Sequence, residues 1–472
     1  MDRIALSVPD VGIILAYLIL LLVIGFSGSR DKISSTENYL LAGRRLSLPA
    51  FTATLVATWY GGILGIGEFT YGFGILSWMT QGLPYYIFAI VFALLLAPRI
   101  QKSRQFTIPD LLYNRHGKSS GLFGSILIFI LVTPAPHFLM TSLLFSAFFG
   151  IPFWVAFLVT TVFSTIYVLR GGFRAVVRTD IFQFLLMFAG FFIVVVSAFS
   201  QFGGIRFLRA HLPPAHFDPT GGMGYQYLVV WFFIAFWTFV DPGFYQRCFA
   251  ARTPQTARYG ILLSVLFWIV FDFLTTATGL YARALLSGIE PLMSFPRIGE
   301  FLLPPVFRGL FFVGLLATIM STLDSNSFLS ATTFGRDFIW RLTGTQRIKS
   351  ATQIGLIVTI GLSAVLVFFI PSVVKMWFVL GTVIIPSLLI PLIAGFFPAM
   401  SLSRPGAFLT MLITALMTLT WYAIGILRGS FDEPLFPLSV QPFFIGLCCS
   451  IGLYAVDRGL QLHRHRHPQK SS

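Results

Sequence analysis

Long apolar segments separated by short polar loops follow one another along almost the whole chain. Windows of about 20 apolar residues, the length of a helix that crosses a bilayer, predict thirteen membrane spans, numbered 1 to 13 here. Their predicted bounds are residues 9–28, 49–76, 80–98, 121–148, 151–169, 177–203, 226–246, 258–284, 307–335, 351–371, 374–398, 405–427 and 435–457. The first segment lacks a small-residue cleavage site, so we expect a membrane helix there and not a removed signal peptide.

The composition agrees with this pattern. Hydrophobic residues make up 56% of the chain and charged residues 10%, whereas soluble domains carry about 25% charged residues. We therefore expect an all-α integral protein of the cell inner (plasma) membrane, with residues 1–472 forming one transmembrane domain in the lipid bilayer. The three cysteines have neither a disulfide framework nor a zinc spacing. No nucleophile or metal-ligand pattern indicates an enzyme.

The distribution of Lys and Arg predicts the orientation. Of the 32 basic residues, 24 fall in the loops on one side of the predicted spans and 8 in those on the other. Loops rich in Lys and Arg are cytoplasmic, which places the N-terminus outside and a short tail, residues 458–472, inside. Arg247 is counted here as a cytoplasmic loop residue. Because topology explains the net charge of +15, we expect no nucleic-acid partner, and no obligate protein partner is evident.

Two spans contain residues that interrupt a helix. Span 2 carries Gly61 and Gly62, and span 7 carries Asp241-Pro242-Gly243. Inside a helix, glycine costs about 1 kcal/mol and proline about 3 kcal/mol relative to alanine. In lipid, an interrupted helix survives only where its freed backbone groups face protein, an ion or water. Paired interruptions of this kind indicate the binding site of a secondary transporter.

The predicted orientation makes spans 2 and 7 antiparallel. Spans 2–6 (residues 48–204) and spans 7–11 (residues 226–399) then form two five-helix repeats of opposite orientation. Each repeat opens with its interrupted span. One extra helix precedes the repeats and two follow them.

Acidic residues inside membrane spans are costly and usually functional. The candidates are Glu68, Asp180, Asp241, Asp272 and Asp324. Asp180 either has a functional role or pairs with a loop arginine, and Asp241 either binds a ligand or caps the half-helix that follows it. Glu68 lies at a substrate entrance or makes a structural hydrogen bond. Asp272 must face the bundle interior, but the sequence does not name its partner.

A polar cluster in span 9, residues 317–327, is the strongest local signal. Thr318, Ser321, Thr322 and Ser325 recur at a spacing of three and four residues and therefore share one face of the helix. Hydroxyl oxygens suit a small cation, and carbonyls freed by the break in span 2 could complete its shell. The alternative is close helix packing, with the hydroxyls bonded to their own backbone.

Five stretches in this order resemble the sodium:solute symporter family, which contains the sodium–glucose, sodium–proline and sodium–pantothenate transporters. They are residues 38–45, 106–110, 171–180, 246–251 and 319–325, and the similarity covers roughly residues 10–400. The resemblance implies the leucine-transporter fold and sodium as the coupling ion. The sodium ligands that it implies are the backbone carbonyls of Ala57, Tyr60 and Thr318 and the side chains of Ser321 and Thr322. Asp180 matches a position that holds a second sodium ion in some members; whether it does so here stays open.

The substrate positions depart from the sugar and proline patterns of that family, because span 2 carries Trp59, Ile63 and Leu64. We expect a pocket between Trp59, Tyr60, Gly62, Glu68, Gln81, Trp237, Phe239 and Asp241. Such a pocket is aromatic with one or two acids, which suits a small organic solute with an apolar body. The sequence does not give its chemical class.

The resulting hypothesis is a sodium-coupled symporter that imports a small organic solute by alternating access. One alternative is a proton-coupled carrier of the same fold that uses Asp180, Asp324 or Asp241. A second is a transporter-like sensor, which would need a partner for its output.

Overall fold

The computed structural model describes residues 3–27, 36–344, 348–431 and 433–466. These residues are almost entirely helical, and one isolated parallel bridge joins Leu46 and Ala251. The helices long and apolar enough to cross a membrane are Val8–Ser27, Leu76–Leu95, Lys118–Phe149, Arg170–Phe202, Tyr225–Ala250, Pro254–Leu285, Phe307–Thr343, Ser350–Phe369, Val373–Phe396, Arg404–Arg428 and Pro442–His463. A bent pair, Leu48–Trp59 with Ile63–Phe73, and the shorter apolar helix Phe153–Val168 complete the set.

Within the described ranges, these eleven helices, the bent pair and the shorter helix correspond one to one to the thirteen predicted spans. The prediction of a multi-pass, all-α membrane protein is therefore confirmed. The limits of the two repeats and the side of the membrane on which each terminus lies stay predictions. Short helices in the loops are Thr36–Leu41, Ala97–Ser103, Ile108–His116, Ile205–His211 and Ser294–Leu302.

Both interruptions predicted from the sequence are present. Span 2 breaks between Trp59 and Ile63, and its halves are bent by 57°. Span 7 consists of three helices, Tyr225–Ile234, Trp237–Val240 and Pro242–Ala250. Asp241 is extended and its side chain caps the last of them. Span 7 therefore has a second interruption, one turn before Asp241, that the sequence did not predict.

Several predicted boundaries were wrong because helices extend past their apolar cores. Span 6 begins at Arg170 rather than at 177. It follows span 5 without a loop in the continuous helix Phe153–Phe202, in which Gly172 (φ +58°) is non-helical. Span 9 continues beyond 335 through a π-helical segment, Thr333–Trp340. The last helix reaches Arg466, so the first residues of the predicted tail continue span 13. Residues 467–472 of that tail lie outside the described residues.

Spans 6 and 9 pack closely along each other because small residues face each other across their interface. A Cβ atom built on Gly314 would lie 3.1 Å from the Cα of Gly190 and 2.9 Å from the carbonyl oxygen of Leu186. Small residues allow such close approach of helix backbones in membranes. This contact brings the polar cluster of span 9 beside Asp180 of span 6.

Candidate functional site

The break in span 2 needs glycine at two positions because neighbouring side chains occupy the space of a Cβ. A Cβ on Gly61 would overlap Thr322 and press on His137, and a Cβ on Gly62 would overlap the indole ring of Trp377. Neither glycine has a positive φ, so close approach and not backbone conformation explains both. The break thereby lies directly against spans 4, 9 and 11.

Two hydroxyl groups of span 9 reach the first half of span 2, Leu48–Trp59, and span 6. Thr322 Oγ1 donates to the carbonyl oxygen of Thr58 at 2.6 Å, and Ser321 Oγ donates to Asp180 Oδ1 at 2.6 Å. A hydroxyl that donates one hydrogen bond keeps lone pairs that can coordinate a cation. Thr318 donates its own hydroxyl to Gly314 O at 2.7 Å, which is the back-bonding expected of the alternative interpretation. The cluster therefore contains one hydroxyl that bonds to its own helix and two that bond to neighbouring spans.

All five residues implied as sodium ligands are buried, two in span 2 and three in span 9. They are Ala57, Tyr60, Thr318, Ser321 and Thr322. The implied ligand atoms of this set are all oxygens, three from carbonyls and two from hydroxyls. Oxygen ligands suit a hard monovalent cation better than a transition metal.

Asp180 lies at the centre of a second polar group, which we call the Arg247 network. It consists of Thr54, Thr58, Asp180, Arg247, Ser321 and Ser325. Thr54 donates to Asp180, and Arg247 Nη2 lies 3.5 Å from Asp180 Oδ2, with both side chains fully buried. The same guanidinium nitrogen donates to Thr58 at 2.7 Å and to Ser325 at 3.0 Å. The network ties spans 2, 6, 7 and 9 together.

The Arg247 network corrects one sequence interpretation and refines another. Arg247 was counted as a loop residue, but it lies inside the last helix of span 7 and is fully buried. Asp180 does pair with an arginine, although this arginine comes from a helix and not from a loop. A buried guanidinium beside Asp180 already supplies a positive charge where a second sodium ion was considered.

A cavity of about 140 Å³ lies next to the break in span 2. Its wall contains seven aromatic residues, Trp59, Tyr60, Tyr85, Trp231, Trp237, Phe244 and Trp377. The polar members are Thr58, Gln81, His137, Asp241, Arg247, Asp272, Thr322 and Asn326. Leu55, Gly62, Ile66, Ile234 and Gly243 complete the wall. Residues of both interrupted spans therefore line the same cavity.

Most of the residues predicted for the solute pocket line this cavity, and two do not. Trp59, Tyr60, Gly62, Gln81, Trp237 and Asp241 belong to the wall. Glu68 is half-buried in the second half of span 2, outside the wall. Phe239 also lies outside the wall, and its ring packs against Phe88 at 5.8 Å between centroids.

Asp241 serves as the cap that the sequence offered as one alternative. Its Oδ1 accepts hydrogen bonds from the backbone N–H of Gly243 at 2.6 Å and of Phe244 at 3.4 Å. Proline at the first helical position follows it, as is common at helix starts. The side chain remains partly accessible in the cavity wall, so capping and ligand contact are compatible.

The other two buried acids are held by hydroxyl donors. Asp272 of span 8 accepts from Tyr86 of span 3 and lines the cavity. Asp324 of span 9 accepts from Ser164 at 2.6 Å and from Tyr167, away from the cavity wall. Neither pairing could be predicted from the sequence, because the donors lie on spans distant in the chain.

The chain matches the sodium:solute symporter family over residues 39–414. Sodium/proline symporter 2 of Staphylococcus saprophyticus is 26% identical over 447 residues, covering 86% of this chain and 85% of the relative. The sodium/proline symporter of Staphylococcus aureus is 25% identical over 449 residues, covering 87% of this chain and 85% of the relative.

Solved structures show the same fold. A Na⁺-coupled sialic acid symporter in a substrate-bound outward-open state superimposes with a TM-score of 0.79 at 16% identity, over 96% of both chains. A transporter of the nucleobase-cation-symport-1 family gives a TM-score of 0.53 at 13% identity, covering 92% of this chain and 96% of that one. The predicted leucine-transporter fold is confirmed.

Proposed function

The chain belongs to the sodium:solute symporter family, and on that premise we propose that it imports a small organic solute together with Na⁺ by alternating access. Membership of this family makes the chain a transporter and not an enzyme, and it implies sodium coupling. The solute, the ion site and the conformational cycle are the parts proposed here.

One observation carries the ion site: the Thr322 hydroxyl donates to the carbonyl oxygen of Thr58 in the first half of span 2 at 2.6 Å, and the neighbouring Ser321 hydroxyl donates to Asp180 of span 6 at 2.6 Å. We assign Na⁺ to the oxygen set of Ala57, Tyr60, Thr318, Ser321 and Thr322. An ion held by both spans 2 and 9 stabilises the conformation in which these spans are close. Coupling then arises from the different affinity of the ion for two conformations and needs no chemical step.

The cavity supports the solute site. It lies beside the proposed ion site and shares Tyr60 and Thr322 with it, so occupation of one site affects the geometry of the other. Trp59, Gly62, Gln81, Trp237 and Asp241 are the proposed solute contacts in its wall, with Glu68 and Phe239 in the surrounding shell. Inward movement of one positive charge contributes about 2.3 kcal/mol per 100 mV, which can support concentrative uptake of a neutral solute.

Uptake into proteoliposomes tests this assignment. With an inward sodium gradient, the wild type should accumulate its solute, and replacement of sodium by potassium should abolish accumulation. Ser321→Ala and Thr322→Ala should each lower the apparent sodium affinity by tenfold or more. Uptake that keeps its sodium dependence in both variants would show that the ion site is elsewhere.

A proton-coupled carrier is the second candidate. The observation in its favour is Asp324, which is fully buried between spans 5 and 9 with only Ser164 and Tyr167 as polar donors in the described structure. Under this alternative, uptake follows an imposed pH gradient, ignores sodium and is lost in Asp324→Asn. Asp180 and Asp241 would be tested in the same way.

A further inference from the structure

We propose that the transported solute carries a compact ammonium group, and that the carboxylates of Asp241 and Asp272 and the tryptophan rings of the cavity recognise it. This inference rests on the proposed solute transport and adds the chemical class of the solute. It covers an organic cation and a zwitterion, because both present the same positively charged nitrogen.

The acidic and basic side chains around the cavity do not balance in charge. Asp241, Asp272 and Arg247 line it, and Arg247 is turned toward Asp180, whose Oδ2 is 3.5 Å away. Three carboxylates thus share one guanidinium. His137, even if charged, would offset only one of the two surplus negative charges. The wall is therefore left negative.

Asp241 and Asp272 form no ion pair with a basic side chain in the described part of the chain. Among the residues that the structure describes, neither Asp241 nor Asp272 has a Lys or Arg nitrogen within 4.0 Å. The donors to Asp241 are backbone N–H groups, and the donor to Asp272 is the Tyr86 hydroxyl. Buried carboxylates are costly unless paired with a positive charge. A positively charged solute would supply that charge.

Tryptophan side chains form part of the cavity wall. Trp59, Trp237 and Trp377 keep part of their surface accessible, although they lie deep between the spans. Trp59 is held in place by edge contacts with Tyr85 at 5.1 Å and Phe244 at 5.3 Å between ring centroids. Indole faces attract cations, and quaternary ammonium groups in particular are bound by clusters of aromatic rings.

The size of the cavity limits the solute. At about 140 Å³ it is smaller than the range of about 300–1,000 Å³ that is typical of sites for drug-sized ligands. It can enclose a head group of a few heavy atoms with a short polar extension toward Gln81 or Asn326.

The test compares matched ligands on the purified full-length protein in sodium chloride. Choline, glycine betaine and proline supply an ammonium group as a cation or a zwitterion, and 3,3-dimethylbutan-1-ol is the neutral carbon isostere of choline. We expect an ammonium compound to raise the melting temperature with at least tenfold higher apparent affinity than the neutral isostere. Equal effects of choline and its isostere, or a panel in which no ammonium compound stabilises the protein, would overturn the proposal. The response to choline against betaine and proline distinguishes a cation from a zwitterion.

Variants locate the effect. Asp272→Asn and Asp241→Asn should each weaken the ammonium response by tenfold or more, and asparagine at 241 keeps the helix cap. Asp218→Asn removes a carboxylate from an exposed loop, where it accepts from Thr220, and should leave the response unchanged. Wild-type ammonium affinity in Asp272→Asn and Asp241→Asn would also overturn the proposal.

Failure of the ammonium proposal can be distinguished from failure of the sodium proposal. Stabilisation by sodium alone reports the ion site, and it should persist in Asp272→Asn. An ammonium response without any sodium effect would leave this inference standing and remove the sodium assignment. A sodium effect with responses only to neutral or anionic solutes would do the reverse.

Discussion

Two buried polar regions meet at span 2, and they differ in how their charges are balanced. In the Arg247 network, one guanidinium faces Asp180 and donates to hydroxyls of spans 2 and 9. In the cavity, the hydrogen bonds that Asp241 and Asp272 accept within the described part of the chain come from neutral donors, and neither acid has a Lys or Arg nitrogen within 4.0 Å. Burial of polar groups alone therefore does not mark a ligand site. The region whose charge is unbalanced within the protein is the one that a positively charged solute group completes.

The largest expected effect comes from breaking the balanced region. Arg247→Met leaves the Asp180 carboxylate buried without its positive partner, which costs about 3–5 kcal/mol for a broken buried pair. We expect a large fall in the melting temperature of the detergent-purified protein. The double variant Arg247→Met with Asp180→Asn removes both charges and should recover most of the loss. A single variant that melts with the wild type would show that the pair contributes nothing.

The same isosteric change, from aspartate to asparagine, should affect stability differently in the two regions. Asp180→Asn orphans the Arg247 guanidinium and should destabilise the protein strongly, by the same about 3–5 kcal/mol. Asp272→Asn removes an unbalanced charge, and the amide oxygen can still accept from Tyr86, so its melting temperature should equal or exceed that of the wild type. Equal losses in the two variants would contradict the difference drawn here.

A smaller effect is expected at the break that joins the two regions. Gly62→Ala forces the new methyl group into the Trp377 ring, and overpacking of this kind costs about 1–3 kcal/mol. Gly72→Ala is the matched control, since it lies in the second half of span 2 with no atom within 4 Å of its Cβ position. Thermal unfolding of both variants measures the contrast. Similar melting temperatures would mean that Trp377 moves away at little cost.

The smallest effect separates the two roles of Asp241. Asp241→Ala removes the cap of the helix Pro242–Ala250 and should cost about 1 kcal/mol, whereas Asp241→Asn keeps a capping oxygen. We expect Asp241→Asn to melt close to the wild type. If alanine and asparagine lower the melting temperature equally, the carboxylate charge and not the cap stabilises this region.

Local features of the sequence predicted the parts of the site that depend on neighbouring residues. The glycine pair in span 2 predicted the break, and the spacing of Thr318, Ser321, Thr322 and Ser325 predicted a shared polar face. Asp241 before proline offered a cap, which the structure contains.

Long-range partners could not be predicted. The contact of Trp377 with Gly62 joins spans 2 and 11, and the bond from Tyr86 to Asp272 joins spans 3 and 8. Arg247 was assigned to a loop because a lone arginine at the end of an apolar segment has the sequence pattern of a cytoplasmic charge. A hydroxyl-rich face on a facing span is the signal that could have placed it inside, because a buried guanidinium needs such acceptors.

Binding of Na⁺ between spans 2 and 9 can be tested by a sodium titration of the melting temperature. Sodium replaces potassium at constant ionic strength, and bound ligand stabilises the folded state in proportion to the logarithm of its concentration above Kd. The wild type should be stabilised by sodium, and Thr322→Ala should lose this response. Thr332→Ala makes the same change in span 9 at a hydroxyl bonded to its own helix, at 2.8 Å from Phe328 O, and should keep it. A sodium response that persists in Thr322→Ala, or that is lost equally in Thr332→Ala, would contradict the account.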